Sequence, residues 1–361
     1  MSIIVPQRKK GPQYVQEVAP SSPEVGDTWY DSNLEKFMMY TTDNEWVEFE
    51  KIGGNPGSPY GYVCGGETLS VYFSTVDRFS FPFDSGTATH VGNLTQNSQG
   101  GSSCNSSNYG FIEHGAYSGS IQRTTVDRIT FPFDSGVAVL IGNVVNTLYG
   151  SSACNSSIYG YFMGDNASTN IERITFPFDS GLSNIVGNLT DTRYISAACN
   201  SSNYGYICGG SFYDTSHHIR SFIDRITFPF DSGTSARVGN LDNSIGNMYG
   251  CNSSNYGYVC SGRDINLDFI SSIERLTFPF DSGTATHVGN LTFTGSSIVS
   301  CNSTNYGYSC AGRDATVSLS VVERITFPFD SGTATHVGNL SLETDLGCSL
   351  DGTDFCTLFV D

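Results

Sequence analysis

Apolar and polar residues alternate with a period of two along much of the chain. In "IERITFPF" (171–178), Ile174, Phe176 and Phe178 fall on one side with Glu172, and Arg173 and Thr175 fall on the other. Such runs are short and end in clusters of Gly, Asn and Ser, and no long stretch shows the helical period. Short strands joined by tight turns are predicted, in an all-β chain.

The alternation recurs as a unit. "FPFDSG" begins at Phe81, Phe131, Phe176, Phe228, Phe278 and Phe327, at spacings of 45 to 52 residues, each time after an acid–Arg pair. A repeat of that length is the size of a propeller blade. Four strands a to d can be read in each: "SAAC" (196–199), then the turn "NSSN", then "YGYICGG" (204–210). A loop leads to the "IERITFPF" strand, and the DSG turn leads to "TATHVGNLT" (284–292). In DSG, Asp can accept from backbone N–H groups ahead of it, and Gly can take the positive φ that a tight hairpin needs. The aromatic-Gly-Gly strand b, the variable loop and the two strands after it resemble the kelch repeat over residues 52–361. The resemblance implies a kelch-like β-propeller.

Six complete c–d pairs are present. Counting "DFCTLFVD" (354–361) as a seventh strand b, after an a strand in "LGCSLDG" (346–352), leaves an a–b pair over. "EKFMMYTTDNEWVEFE" (35–50) supplies two strands to complete it, with Trp46 where the kelch tryptophan would stand. The expected architecture has seven four-stranded blades, with 34–51 giving the outer and 343–361 the inner strands of the closing blade, and residues 1–33 forming an arm. The alternative is six blades plus an N-terminal module.

That N-terminal region differs in composition. All four lysines and both tryptophans precede residue 52, and "GGNPGSP" (53–59) follows as a linker. "APSSPEVGDTWYDSNLEKFMMYTTDNEWVEF" (19–49) resembles a module of bacteriophage tail-fibre and other virion structural proteins, through its Pro/Ser lead-in, "GDTWYD", aromatic hairpin and closing Trp-Val. The resemblance implies a virion protein assembled in the host cytoplasm, as a tail-fibre, spike or head-surface component. The Arg8-Lys9-Lys10 cluster is its expected attachment point to other virion proteins.

Charge and residue chemistry narrow the function. A net charge of −18 disfavours nucleic acid and anionic membranes as partners, and no segment is apolar enough to span a bilayer. The short apolar run of "MSIIVPQRKKGPQ" precedes its basic cluster, the reverse of a secretory signal. The eleven cysteines fall at repeat positions without a CxxC, so reduced, buried thiols are expected, with no metal and no cofactor. His90, His287 and His336 share one repeat position with Leu140, Ile185 and Arg237, which excludes a metal ring there. Asn93, Asn105, Asn155, Asn188, Asn200, Asn252, Asn290, Asn302 and Asn339 begin sequons, read as unmodified repeated turn residues. No catalytic constellation stands out, and a non-enzyme is expected.

In the acid–Arg pairs, adjacent strand residues point to opposite faces, so each Arg is expected to bond into the next blade while its neighbour offsets the charge. The a–b and c–d turns, on one face of the disc, are nearly identical among repeats. The b–c and d–a loops, on the other face, all differ. A uniform face suits a scaffold and a diversified one suits recognition. Candidate ligand-binding residues on the varied face are Tyr72, Phe73, Tyr117, Tyr149, Tyr194, Phe212, Tyr213, His217, His218 and Phe269. The expected role is recognition of a host-surface glycan or protein. The alternatives are a capsid decoration or cement protein without a receptor, and a carbohydrate-active propeller enzyme. Assembly as a homo-oligomer is compatible with either display or decoration.

Overall fold

The computed structural model describes residues 14–16, 19–24, 27–31, 36–40, 46–48, 59–68, 71–117, 121–165, 167–213 and 216–351. It is all-strand among those residues and divides into a small N-terminal unit and a propeller over residues 56–355. The propeller has six blades. Blade 4 is representative: strands a to d are Ala197–Asn200, Tyr204–Cys208, Phe222–Thr227 and Ala236–Asn240, paired antiparallel in that order. Strand b is the most buried, because it is sandwiched between the neighbouring blades as well as between its own a and c.

The expected seventh blade does not form. Cys348–Asp351 is the a strand of blade 1, pairing antiparallel with strand b at Tyr60–Cys64, followed by Thr75–Ser80 and Thr89–Asn93. Among the described residues no a strand precedes Tyr60 in the propeller; the C-terminal strand fills that place, and the facing edges of strands a and b are removed by one pairing. The seven-blade count arose from treating that a strand as surplus. The segment 354–361, read as a further strand b, lies outside the described residues. Strands Lys36–Tyr40 and Trp46–Glu48, expected on the closing blade, instead pair in a separate four-stranded sheet with Tyr14–Gln16 and Thr28–Asp31. In that sheet, which spans the expected 33/34 boundary, Trp46 packs edge-on against Trp29 at 5.6 Å and beside Tyr40 at 5.3 Å.

The repeated motif is a set of fastenings between blades. Each strand-c arginine reaches forward: Arg173 Nη1 donates to the Phe230 carbonyl at 3.2 Å and pairs with Asp231 in the DSG turn of the next blade. Each strand-c acid reaches back. Asp224 accepts from the Thr190 N–H at 2.9 Å and its hydroxyl at 2.8 Å, and Glu172 accepts from the N–H groups of Val145 and Asn146. The Arg therefore bonds as expected, whereas the acid, fully buried in most blades, is a second clamp and not a mere counter-charge. The DSG aspartate serves the Arg of the preceding blade.

Aromatic residues complete the seam. Phe228, before a cis Phe–Pro bond found in all six copies, stacks on Tyr161 of the preceding blade at 5.3 Å. The Phe230 N–H then donates to the Tyr161 hydroxyl at 2.9 Å. Blade 2 carries Phe111 in place of that tyrosine, so the hydroxyl opposite the Phe178 N–H is missing. The substitution Phe111→Tyr is expected to stabilise the protein by about 1 kcal/mol. Urea denaturation of the two proteins checks this; equal midpoints would sink it.

Two glycine positions explain how closely the blades approach. In "YGY", a Cβ on Gly205 would stand 2.5 Å from the Cys154 sulfur, and the same relation joins Gly160 to Cys104 and Gly257 to Cys199. In "VGN", a Cβ on Gly239 would stand 2.3 Å from the Gly283 carbonyl oxygen of the next blade's DSG turn. The following residue uses that same carbonyl, with Asn240 N–H donating to it at 3.0 Å and Ala285 N–H returning a bond to Asn240 at 2.9 Å.

The ten described cysteines are buried and free, as expected from their repeat positions. Burial pushes the Cys104 and Cys154 thiols well up. A thiol reagent should leave these ten unmodified in the folded protein and react with them after denaturation. Prompt labelling of several in the native state would contradict this packing.

Candidate functional site

The two faces of the disc differ at the axis. On the uniform face, strand a ends at Asn105, Asn155, Asn200, Asn252, Asn302 and Asp351, which line a cavity of about 70 Å³ with the small residues two positions earlier. The asparagines bind blade to blade: Asn252 Oδ1 accepts from the Asn200 N–H at 3.2 Å, and Asn302 Oδ1 from the Asn252 N–H at 3.0 Å. These sequon residues are thus structural. The adjoining turn is also constant, with Ser201 Oγ accepting from the Tyr204 N–H at 3.2 Å and equivalents in other blades.

On the varied face, six main-chain amides close a ring around the axis. Gly100 N–H donates to Leu346, Gly150 to Gly100, Ile195 to Gly150, Asn247 to Ile195, Ser297 to Asn247 and Leu346 to Ser297, at 2.5–3.2 Å. All six residues have positive φ, including Ile195 at 49°, an unfavourable conformation for a β-branched side chain. Ile195 and Leu346 are buried here. Beside them, Tyr249 of strand a reaches from blade 5 to blade 1, its hydroxyl 3.5 Å from the Gly347 carbonyl. This ring was not legible as a motif, because its residues share a backbone conformation and not a side chain.

The candidate binding residues lie on this face but form separate groups. Tyr72 and Tyr117 meet with ring centroids 5.6 Å apart, and Arg123 stacks on Tyr117 at 5.1 Å. Phe73 is half-buried, its N–H donating to Gly66. Tyr149 packs against Gly100, and Gln99 Nε2 donates to its hydroxyl at 3.4 Å. Burial first, and then Glu67, pushes the Tyr149 hydroxyl up to about 12. Tyr194 bridges by its backbone to Ser211. Phe212, Tyr213, His217 and His218 share one hairpin, Ser211–Tyr213 with His217–Ile219, where Tyr213 faces His217 at 6.1 Å and Phe212 faces His218 at 6.2 Å. Phe269 lies beneath the Arg263 guanidinium at 4.3 Å. Arg8, Lys9 and Lys10 lie outside the described residues.

The charges around the mouth were missed as candidates, although Glu67, Arg263 and Arg313 share one position, just after the glycine beyond the "YGY" strand. Burial and the neighbouring Asp345 push Glu67 up to about 7, and burial raises Asp345 as well. Burial and Arg313 together lower Arg263. Burial, Arg263 and His218 lower His217. Arg313 acts against the rise at both Glu67 and Asp345, so the charges of blades 1 and 6 interact with one another. Among the described residues, no group of three or more His, Cys, Asp or Glu is placed to hold a metal ion. No known protein family matches the chain, and no curated protein matches it significantly.

Proposed function

We propose that this chain is a bacteriophage virion protein, a tail-fibre, spike or head-surface component, whose propeller presents its varied face for recognition of a host-surface glycan or protein. The observation that carries the reading is the contrast between faces. One is made of the same DSG turn six times and the same Asn-Ser a–b turn five times, while the loops of the other differ from blade to blade on that constant frame. The segment resembling virion modules supports the setting, and residues 1–33 are the proposed arm joining other virion proteins. The role is binding without catalysis and without a cofactor. Self-association, if present, is read as a mass above 38.9 kDa in sedimentation.

Labelled antibody and electron microscopy on intact particles test the setting. Deleting residues 1–18 should abolish incorporation, and normal incorporation would remove the anchor. Exchanging the b–c loops should abolish adsorption to host cells; unchanged adsorption with weaker particles favours a decoration role instead. One observation favours the enzyme reading. Glu67 is pushed up to about 7 beside Asp345, a pairing of raised carboxyls of the kind that acid–base chemistry uses. Degradation of a host polysaccharide by the chain, lost in Glu67→Gln, would establish that reading.

A further inference from the structure

We infer that the outer rim of blades 2 and 3 is a homodimer interface, on which a second copy of this chain pairs through its own blade 2. The inference is independent of the recognition reading, because the rim belongs to neither face of the disc. It comes from comparing what each blade exposes. In the segment after the DSG turn, the same three positions are exposed in all six blades. Four blades open the set with a threonine and close it with His90, Arg237, His287 or His336. Blade 2 places Val137, Val139 and Leu140 there, and blade 3 places Leu182 and Ile185 around Asn184. The a–b turn departs in the same way, with Ile158 of blade 3 standing where the other Asn-Ser turns carry an asparagine. Away from the b–c and d–a loops, no other large hydrophobic residue among the described ones is exposed to this degree.

The outer strands run head to tail around the rim, so these residues fall in line. Val137 lies beside Asn93, the last residue of strand d in blade 1, and Leu182 lies beside Asn143, the last of strand d in blade 2. Strand d of blade 2, Val139–Asn143, pairs along its inner side with Thr125–Thr130. On its outer side only Gly142 and Asn143 have a strand partner among the described residues, which leaves Val139–Ile141 as an open edge. Open edges are commonly guarded by a charge that keeps another strand away. His90, Arg237, His287 and His336 stand in that place on four blades, whereas Leu140 guards nothing. Two copies of one strand can pair antiparallel about a twofold axis, the commonest symmetry of soluble oligomers. An axis near Leu140 joins the two blade-2 sheets into one.

Size and charge favour this same chain as the occupant. The six aliphatic side chains, at 47–60% exposure, make an apolar surface of several hundred Å², the size that marks a contact. A stable interface buries about 800 Å² on each partner, so the patch supplies its apolar centre and leaves room for a polar border. The chain carries a net charge of −18, and two copies repel wherever their acids meet. The DSG aspartates beside this patch are already paired, Asp134 with Arg78 and Asp179 with Arg128. A basic partner gains nothing from a surface without free charge, while a second acidic copy can approach there.

The test is sedimentation equilibrium of the full chain over a range of concentrations. The expected result is a reversible dimer of twice 38.9 kDa. Val137→Thr, Val139→Thr and Leu140→His together rewrite blade 2 with the residues of blades 1, 5 and 6, a set the fold already accepts three times. This variant should keep the circular dichroism of the parent and raise the dimer dissociation constant about a hundredfold or more. Leu140→Cys, beside the axis, should cross-link to its copy on mild oxidation. His287→Cys, at the matching position of blade 5, should not, and the parent controls for its own cysteines. If the triple variant does not fold, the cross-linking decides. A monomer at every concentration, a dimer that the triple variant leaves intact, or equal cross-linking at both positions overturns the inference. So does a monomeric chain whose rim binds a different protein.

Discussion

Gly239→Ala should cost the propeller roughly 3 kcal/mol, among the largest effects of any single methyl group in this chain. The added carbon would stand 2.3 Å from the Gly283 carbonyl oxygen and 2.8 Å from the Phe280 ring of the next blade. That oxygen cannot withdraw, because the Asn240 N–H is bonded to it and Asn240 itself accepts from Ala285. The useful comparison is Gly233→Ala, in the DSG turn. At φ of 101° the turn strains any side chain, yet nothing lies within 4 Å of the new carbon, so the loss is conformational and should be about 1–2 kcal/mol. Chemical denaturation of both variants gives the order. If Gly233→Ala proved the more damaging, close approach between blades would not be what excludes a side chain from "VGN".

Stability should fall as pH rises from about 5 to 8.5, with Glu113 responsible for a large share. Burial raises Glu113 to about 8, and Glu274 and Glu323 to about 7, from an ordinary 4.5. A carboxyl raised in the folded state stabilises fully below its unfolded value and loses that contribution as pH climbs through 7 to 8. Asp127 and Asp224 act in the opposite sense. Burial pushes them up, but His114 with Thr95, and Arg193 with Thr190, outweigh it and leave both below 3.8. Their contribution is present above 3.8 and disappears only on further acidification. Maximum stability should therefore lie near pH 5, on the acid side of neutrality.

Glu113→Gln isolates the main contributor. Its amide oxygen can accept the Gly115 N–H, as the carboxylate does at 2.6 Å, and its NH₂ can donate to Ser151 Oγ, now 2.9 Å from the carboxylate. The variant should match the parent at pH 5 and exceed it by roughly 2–4 kcal/mol at pH 8.5. Thermal unfolding across that range decides the matter. A melting temperature that rises toward pH 8.5 in the parent would refute the assignment.

Much of the fold was legible because the repeat writes the same interaction six times. Alternation in "IERITFPF" placed Glu172 and Ile174 on one side and Arg173 and Thr175 on the other, but did not say which residues are buried: Ile171, Glu172 and Ile174 are, and Thr175 is exposed. The Arg-to-next-blade bond followed from strand geometry alone. Blade number did not follow, because a strand's partner depends on which edge is open in space. Cys348–Asp351 has the local pattern of any strand a, and nothing in its residues says that Tyr60–Cys64, nearly three hundred positions earlier, is its neighbour. The candidate face was found from loop variation, yet aromatic content drew notice to Tyr149 and Phe73, which are largely engaged in packing. Arg263 and Arg313 were passed over since an arginine in a loop looks solvated. Their placement at the mouth, where Arg263 covers Phe269 and Arg313 acts on Glu67 and Asp345, emerges only in three dimensions.

The single closing pair also bears on how the protein is made. During synthesis the blades emerge in order, and each can dock on the one before it as soon as its Arg and FPFDSG segments are available. Blade 1, however, remains a three-stranded sheet with a bare inner edge until residues 348–351 leave the ribosome. Until then the arc has two unsatisfied ends, one at strand b of blade 1 and one at the last blade made. A ribosome stalled before Cys348 would hold an assembly that is nearly complete in contacts but open to pairing with another nascent chain.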